Sequence, residues 1–249
     1  MLVKKLIKEL LIIVRAVVNP DRAEKVVFYH DIGKKNTPMG TDVKTFMRHM
    51  KVLGVGGRCR RRGDVVAFDD GFRGVWEYRD ELEKVVGVGV RVVVFIAVRL
   101  VGQPGYLTWD EIRTLQREYG VRFQCHTWSH QTLVGPMIDE SPKEERTEAW
   151  YHRELVESRA KIAAEIGAEV DELCFPVGLF SDELLARCKA AGYKKVYASY
   201  PGNVCDDYVQ PRCLVQDLGV IGFWATLRGG MNVFKKRYYR AHKQDCLDV

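Results

Sequence analysis

Short apolar runs recur along this chain, and most are followed by a segment with helical periodicity. Val26-Val27-Phe28-Tyr29, Val65-Val66-Ala67-Phe68, Val90 to Val98 and Leu173-Cys174-Phe175 are too short for buried helices and too uniformly apolar for strands with one wet face. Val121 to Cys125 and Lys195 to Ser199 read as further strands. Helices are predicted at about 43–53, 75–86, 109–120, 143–169 and 181–191. Thr108 and Glu111 are placed to form a capping box, Thr41 or Asp42 to cap the helix after it, and Ser181 the last of these helices. Strands that alternate with helices through short turns must lie parallel and be joined by crossover helices. No linker, low-complexity run or internal repeat interrupts the pattern.

Polar residues capable of chemistry stand where these strands end: His30, Asp69 with Asp70, His126 and Pro176. In a barrel of parallel strands those ends share one face, where sites are built. Phe68-Asp69-Asp70-Gly71 taken alone reads equally as a plain strand-to-turn exit, because Asp and Gly favour turns for local reasons. Side chains alternate across a strand, so the two carboxylates need not point the same way. One can ligate a metal while its neighbour moves protons. His126-Thr127-Trp128-Ser129-His130 sets two histidines four residues apart, a spacing that on a helical turn brings both rings to one side. With Asp70 they make a three-ligand set that leaves positions open for water and substrate, the pattern of a catalytic rather than a structural metal site.

Composition sets the outer limits. The 249 residues and 28.5 kDa suffice for one large domain with a substantial core. A formal charge of +6 favours anionic partners without being a nucleic-acid signature, and no nucleic-acid partner is expected. Seven cysteines with no paired spacing read as reduced thiols in a cytoplasmic protein, and no zinc finger is available from them. Met1 to Val18 is too short and too charged to span a bilayer, and it lacks a signal-peptide cleavage site. It reads as an amphipathic helix packed on the core, with membrane-surface contact as the alternative. Phe223 to Lys243 carries Trp224, Leu227, Met231, Phe234 and Tyr238 at helical spacing, with Lys235, Lys236, Arg237 and Arg240 clustered late. It reads as a packed amphipathic helix, or as a contact for anionic lipid or a lipid-linked sugar at the inner face of a membrane. Arg58 to Arg62 is a basic loop, either solvated or in contact with an acidic group. The expected division is an N-terminal helix over 1–20, a central domain over 21–222 and a basic helix and tail over 223–249.

Phe68-Asp69-Asp70-Gly71 followed by His126-Thr127-xx-His130 resembles the first two motifs of the polysaccharide deacetylases, carbohydrate esterase family 4. The likeness extends from about Val26 to Tyr200 and includes Tyr29-His30, the helix start at Leu107 to Glu111, and Ala190-Ala191-Gly192-Tyr193. The resemblance implies an α/β fold, a distorted seven-stranded parallel barrel. It implies a metal-dependent hydrolase that removes acetyl groups from N-acetylhexosamines in a glycan, glycolipid or sugar nucleotide. By position, Asp69 is then the general base and Asp70, His126 and His130 hold one divalent ion, most naturally Zn2+, with Co2+, Ni2+ or Fe2+ also accommodated. Pro176, Val177 and Gly178 stand at the third motif, where a backbone N–H serves the oxyanion.

The chain departs from that pattern in two places. The third motif reads Leu173-Cys174-Phe175-Pro176-Val177-Gly178, without the arginine that orients the base and with Val177 in place of tyrosine. The late Leu-x-His motif is missing. His30 is the better substitute for its catalytic acid, ahead of His242 in the basic tail, while His49 and His152 look like surface helix residues. Asp31 reads as a turn residue. Arg212 and Asp217 could border the site, though no spacing compels it. Two other functions stay open: hydrolysis of a different C–N bond, such as a formamide or cyclic ureide, and a non-catalytic metal or glycan binder.

Overall fold

Parallel neighbours cannot be joined by hairpins, so each return connection must pass over an outer face of the sheet. The computed structural model describes residues 2–21, 23–33, 39–54, 64–135, 145–203 and 207–243, with backbone only for 2–6. The Arg58 to Arg62 loop lies outside them. Helix α1 (Leu2–Val18) precedes β1 (Val26–Tyr29), a two-stranded side sheet of β2 (Asp31–Ile32) and β3 (Gly40–Thr41), and α2 (Val43–Leu53). The chain continues through β4 (Val65–Phe68), α3 (Gly74–Glu77), α4 (Arg79–Gly87), β5 (Arg91–Ile96), α5 (Trp109–Tyr119) and β6 (Arg122–Cys125). Next come α6 (Glu148–His152), α7 (Ser158–Ile166), β7 (Glu172–Cys174), α8 (Asp182–Ala190) and β8 (Lys195–Ala198). Strands β9 (Val209–Pro211) and β10 (Cys213–Leu214) and helices α9 (Val220–Leu227) and α10 (Lys235–His242) complete it.

The main sheet has the order β10-β1-β4-β5-β6-β7-β8-β9, parallel throughout. That is eight strands where seven were expected, and the difference has a simple origin. β9 and β10 form opposite edges of the sheet, yet Arg212 alone separates them in sequence. One segment gives its first half to β8 and its second to β1, and so nearly closes the sheet into a barrel. Side chains then alternate between bore and outer face. Phe28, Ala67, Phe95, Cys174 and Tyr197 belong to an inner cluster, whereas Tyr29, Phe68, Val94 and Leu173 join the larger core under the helices. At the bottom of the bore, Arg91 donates to Glu172 at 3.0 Å and to the Tyr197 hydroxyl at 2.9 Å. The register aligns Tyr29 with Phe68 and Ile96 with Cys125, so His30, Asp69 and His126 leave their strands on the same rim.

The expected helices appear with revised limits. The Thr108 capping box forms, Asp42 caps α2 and Ser181 caps α8. The helix expected over 75–86 divides at Tyr78, where residue 74 must be glycine: a Cβ there would lie 2.2 Å from both Asp31 Oδ1 and Ile32 O. Asp31 is therefore no turn residue. It is buried in β2 and accepts the Gly74 N–H at 3.1 Å. His49 is no surface residue either. Its Nε2–H donates to Leu218 O at 3.0 Å, its Nδ1 accepts from the Tyr29 hydroxyl at 2.9 Å, and its ring stacks on Phe223 at 4.2 Å. Burial depresses its pKa to about 4. His152 is exposed, as expected. The amphipathic helix expected over 223–243 is instead α9, a 3-10 turn (Gly230–Phe234) and α10, broken at Gly229, whose φ is 77°. Helix α1 lies on α9 and this 3-10 turn, through Ile12 and Ala16. No helix among the described residues is long and apolar enough to cross a membrane.

Candidate active site

The adjacent aspartates part company at the end of β4. Asp69 continues the inward alternation of Ala67 and faces the bore. Asp70 takes a left-handed turn, φ 69°, that directs its carboxylate sideways toward the end of β6. Asp70 Oδ1 lies 2.8 Å from His130 Nε2 and 3.3 Å from His126 Nε2. The spacing of the two histidines was expected to act through a helical turn, but the segment is not helical. Thr127 and His130 adopt φ values of 71° and 66°, and the loop folds back on itself. Four non-glycine residues have positive φ among those described, Asp70, Thr127, His130 and Val177, and all four belong to this rim. Left-handed backbone at β-branched threonine and valine is strained and persists only where its surroundings enforce it.

Glu154 supplies that enforcement for the histidine loop. Its buried carboxylate accepts the N–H groups of Trp128 at 3.0 Å and Ser129 at 2.8 Å, while the Thr127 hydroxyl accepts His130 N–H at 3.1 Å. The helix expected over 143–169 is accordingly not uniform: between α6 and α7 a π-helical turn, Arg153–Glu157, carries Glu154 toward the loop.

The donor set fits a metal ion. His126 Nδ1–H donates to Cys174 O at 2.7 Å, which fixes the tautomer and leaves the Nε2 lone pair aimed at the Asp70 carboxylate. Asp70 Oδ1 is buried with no well-aligned hydrogen-bond donor. Acceptors that face one another in this way repel unless a cation lies among them. Burial would raise the Asp70 pKa; with protons on the facing Nε2 atoms, in place of a metal ion, the two rings more than offset it and hold the carboxyl well below the usual carboxylate range.

Asp69 has a different partner. Arg212, fully buried at the break between β9 and β10, donates to both carboxylate oxygens, at 2.7 and 2.9 Å. Its guanidinium lies over the Phe28 ring, 4.1 Å from the centroid. Burial pushes the Asp69 pKa up, but Arg212, then His126 and His30, reverse this and leave it below its ordinary value. The third motif lacks an arginine, and the one beside Asp69 comes instead from the break between β9 and β10. From the sequence alone Arg212 reads only as a residue that could border the site.

A cavity of about 350 Å³ opens above these groups, lined among others by His30, Asp69, Asp70, His126, His130, Val177, Tyr238 and His242. Both acid candidates therefore reach it. His30 Nδ1–H donates to Gln216 Oε1 at 2.8 Å, which turns Nε2 away from Gln216. His242 lies on α10 rather than in a tail, and its Nδ1–H donates to Tyr238 O at 2.7 Å. Pro176 and Gly178 are buried while the Val177 side chain is 45% exposed, and its φ of 61° replaces the tyrosine by a strained valine. A Cβ on Gly178 would meet Ser199 at 2.5 Å, so the turn closes tightly against β8. Asp217 does not line this cavity. Sequence reasoning missed Glu154 and Gln216 altogether, since each is a lone polar residue whose meaning appears only with its partner.

The sequence profile of the family Polysaccharide deacetylase matches residues 61–196, more than half of the chain. The chain belongs to that family. YxkH of Bacillus subtilis (strain 168), assigned by name to the polysaccharide deacetylases, is 21% identical over 199 residues, 73% of this chain and 66% of that protein. The chain thus spans just under two thirds of that relative's length. Among solved structures, BC0361, a polysaccharide deacetylase from Bacillus cereus, superposes with a TM-score of 0.68 at 20% identity, over 82% of this chain and 69% of that one. The Streptococcus pyogenes deacetylase PplD in complex with acetate gives 0.65 at 15% identity, over 84% and 99%. At these identities the superpositions establish the deacetylase-like parallel barrel and nothing finer.

Proposed function

We propose that this protein is a metal-dependent carbohydrate N-deacetylase that hydrolyses the acetamide of an N-acetylhexosamine, carried in a glycan, glycolipid or sugar nucleotide. One observation carries the reading: two neighbouring carboxylates are assigned to different partners, Asp69 to a buried arginine and Asp70 to two imidazoles. A binder would need only the second pair. The names of the relatives, and acetate in the PplD complex, point to the same bond.

Asp70, His126 and His130 would hold the divalent ion, with zinc the first candidate from their N and O donors. Bound there, such an ion polarises a carbonyl and lowers the pKa of water. Asp69, kept ionised by Arg212, accepts the proton of the water that adds to the acetamide carbon. The backbone N–H at Val177 would stabilise the oxygen on which charge develops. His30, in its imidazolium form, donates from Nε2 to the nitrogen as the C–N bond breaks, while Gln216 holds the ring. Acetate and a free amino sugar leave.

The test joins metal analysis with product release. Asp69→Asn should retain the metal and lose about 1,000-fold or more in acetate release from N-acetylglucosamine oligomers. His30→Ala should do the same, whereas His242→Ala should leave most turnover. Metal bound in the native protein, with no acetate, formate or ammonia from a panel of N-acetyl sugars, formamides and cyclic ureides, would refute hydrolysis. Full turnover in His30→Ala would end its role as the acid.

A further inference from the structure

Helix α1 is amphipathic in the wrong direction for a helix packed on a core. Ile12 and Ala16 are its buried contacts, while Ile7, Leu10, Leu11, Val14, Val17 and Val18 are exposed by 44–76%. Their spacing of three and four residues gathers them into one outward stripe. The stripe is about 17 Å long at the helical rise per residue, which is enough to lie along an interface. Among the described residues of α1 the charged side chains stand at its margins or underneath: Lys8 and Arg15 on one side, and half-buried Glu9 toward the body of the protein.

Both margins continue onto neighbouring elements. On the basic side, Lys8 Nζ donates to the Tyr238 hydroxyl at 3.1 Å and lies 5.8 Å from the Phe234 ring centroid. This joins α1 to α10, whose Lys235, Lys236, Arg237 and Arg240 belong to a helix with no buried residue and no carboxylate. On the other side a groove of about 430 Å³ beside Ile13 leads to Val220 and Ile221, the latter 64% exposed. The result is an apolar stripe with a cationic flank.

We propose that this face docks the protein onto an anionic lipid bilayer, with α1 lying in the interface. Charge complementarity selects this occupant over a second copy of the chain. Pairing two copies would bring like-charged α10 flanks into one assembly, whereas anionic headgroups neutralise those flanks while acyl chains receive the aliphatic stripe. Tyr238 ties the surface to the catalytic cavity, because it accepts Lys8 on one side and lines the cavity on the other. The inference does not depend on which bond the cavity hydrolyses.

The experiment is flotation of the full chain with phosphatidylcholine vesicles, with and without phosphatidylglycerol. The native protein should float with the anionic vesicles at least about tenfold more than with the neutral ones, and added salt should reduce the difference. Leu10→Asp with Val14→Asp changes only exposed positions, so its thermal melt and its hydrolysis of a soluble substrate should match the native protein while flotation falls at least about tenfold. Lys236→Glu with Arg240→Glu should abolish the preference for anionic lipid. Three results would overturn the proposal: no flotation, flotation indifferent to the α1 pair, or a native dimer in sedimentation that the same pair converts to monomer.

Discussion

Arg212 is the residue on which the chemistry of Asp69 rests, because it alone gives that buried carboxylate a bidentate cationic partner. Arg212→Met should reduce kcat about 100-fold through misorientation of Asp69, the proposed base. It should also cost on the order of 3–5 kcal/mol in stability, since a buried charge is left without its counterpart. The sign of the pH effect follows from the same geometry. Burial raises the Asp69 pKa and Arg212 is the strongest of the groups that lower it. Without it the pKa rises, and the acid limb of kcat/KM moves to higher pH. Adding Asp69→Asn to Arg212→Met should recover part of the lost stability and none of the activity, which a urea melt and an acetate assay would separate. That Asp69, Asp70, His126 and His130 would meet on one rim was legible in the sequence because they stand in short local motifs at strand ends. Arg212 was not legible as their partner, since it lies 143 positions from Asp69 in a segment with no motif.

At the scale of elements, the histidine loop depends on a turn of helix that no periodicity announces. Strands and caps are local matters, and Val26–Tyr29, the Thr108 box and the Ser181 cap appear as read. The π-helical turn at Arg153–Glu157 answers a distant demand, that a carboxylate reach the N–H groups of Trp128 and Ser129. Glu154→Ala should leave the helix largely intact, relax the left-handed residues Thr127 and His130, and weaken metal binding about 10–100-fold in a competitive chelator titration. Helices α2 and α9 meet through His49, misread as exposed because a lone histidine on a helix gives no sign of which side it faces. Its pKa is 6.5 by its ordinary value and about 4 in the fold. Between those values the unfolded chain takes up the extra proton. The stability His49 contributes is therefore complete above about 6.5 and is lost as pH falls toward about 4. Calorimetric melting temperatures should decline across that window, and His49→Gln should flatten the decline.

At the scale of the whole molecule, the parallel barrel followed from alternating strands and helices, while the way it closes did not. Val209 to Leu214 holds a proline and an arginine and lacks the apolar run that marks the other strands. Its pairing is dictated by the two edges it joins. That segment gives the protein an internal check on its own completeness. Asp69 is made early on the ribosome and Arg212 late, so a nascent or partly opened barrel holds the Asp69 carboxylate without its bidentate cation. On the proposed role of Asp69, catalytic competence would wait for the β9–β10 segment to dock. Loosening that seam should silence the enzyme before the rest of the fold gives way: acetate release should fall at urea concentrations where far-ultraviolet circular dichroism is still native. Coincidence of the two transitions would show that the seam opens only with the whole domain. Where they separate, the edge that completes the barrel acts as its arming step, and half-built copies stay chemically silent.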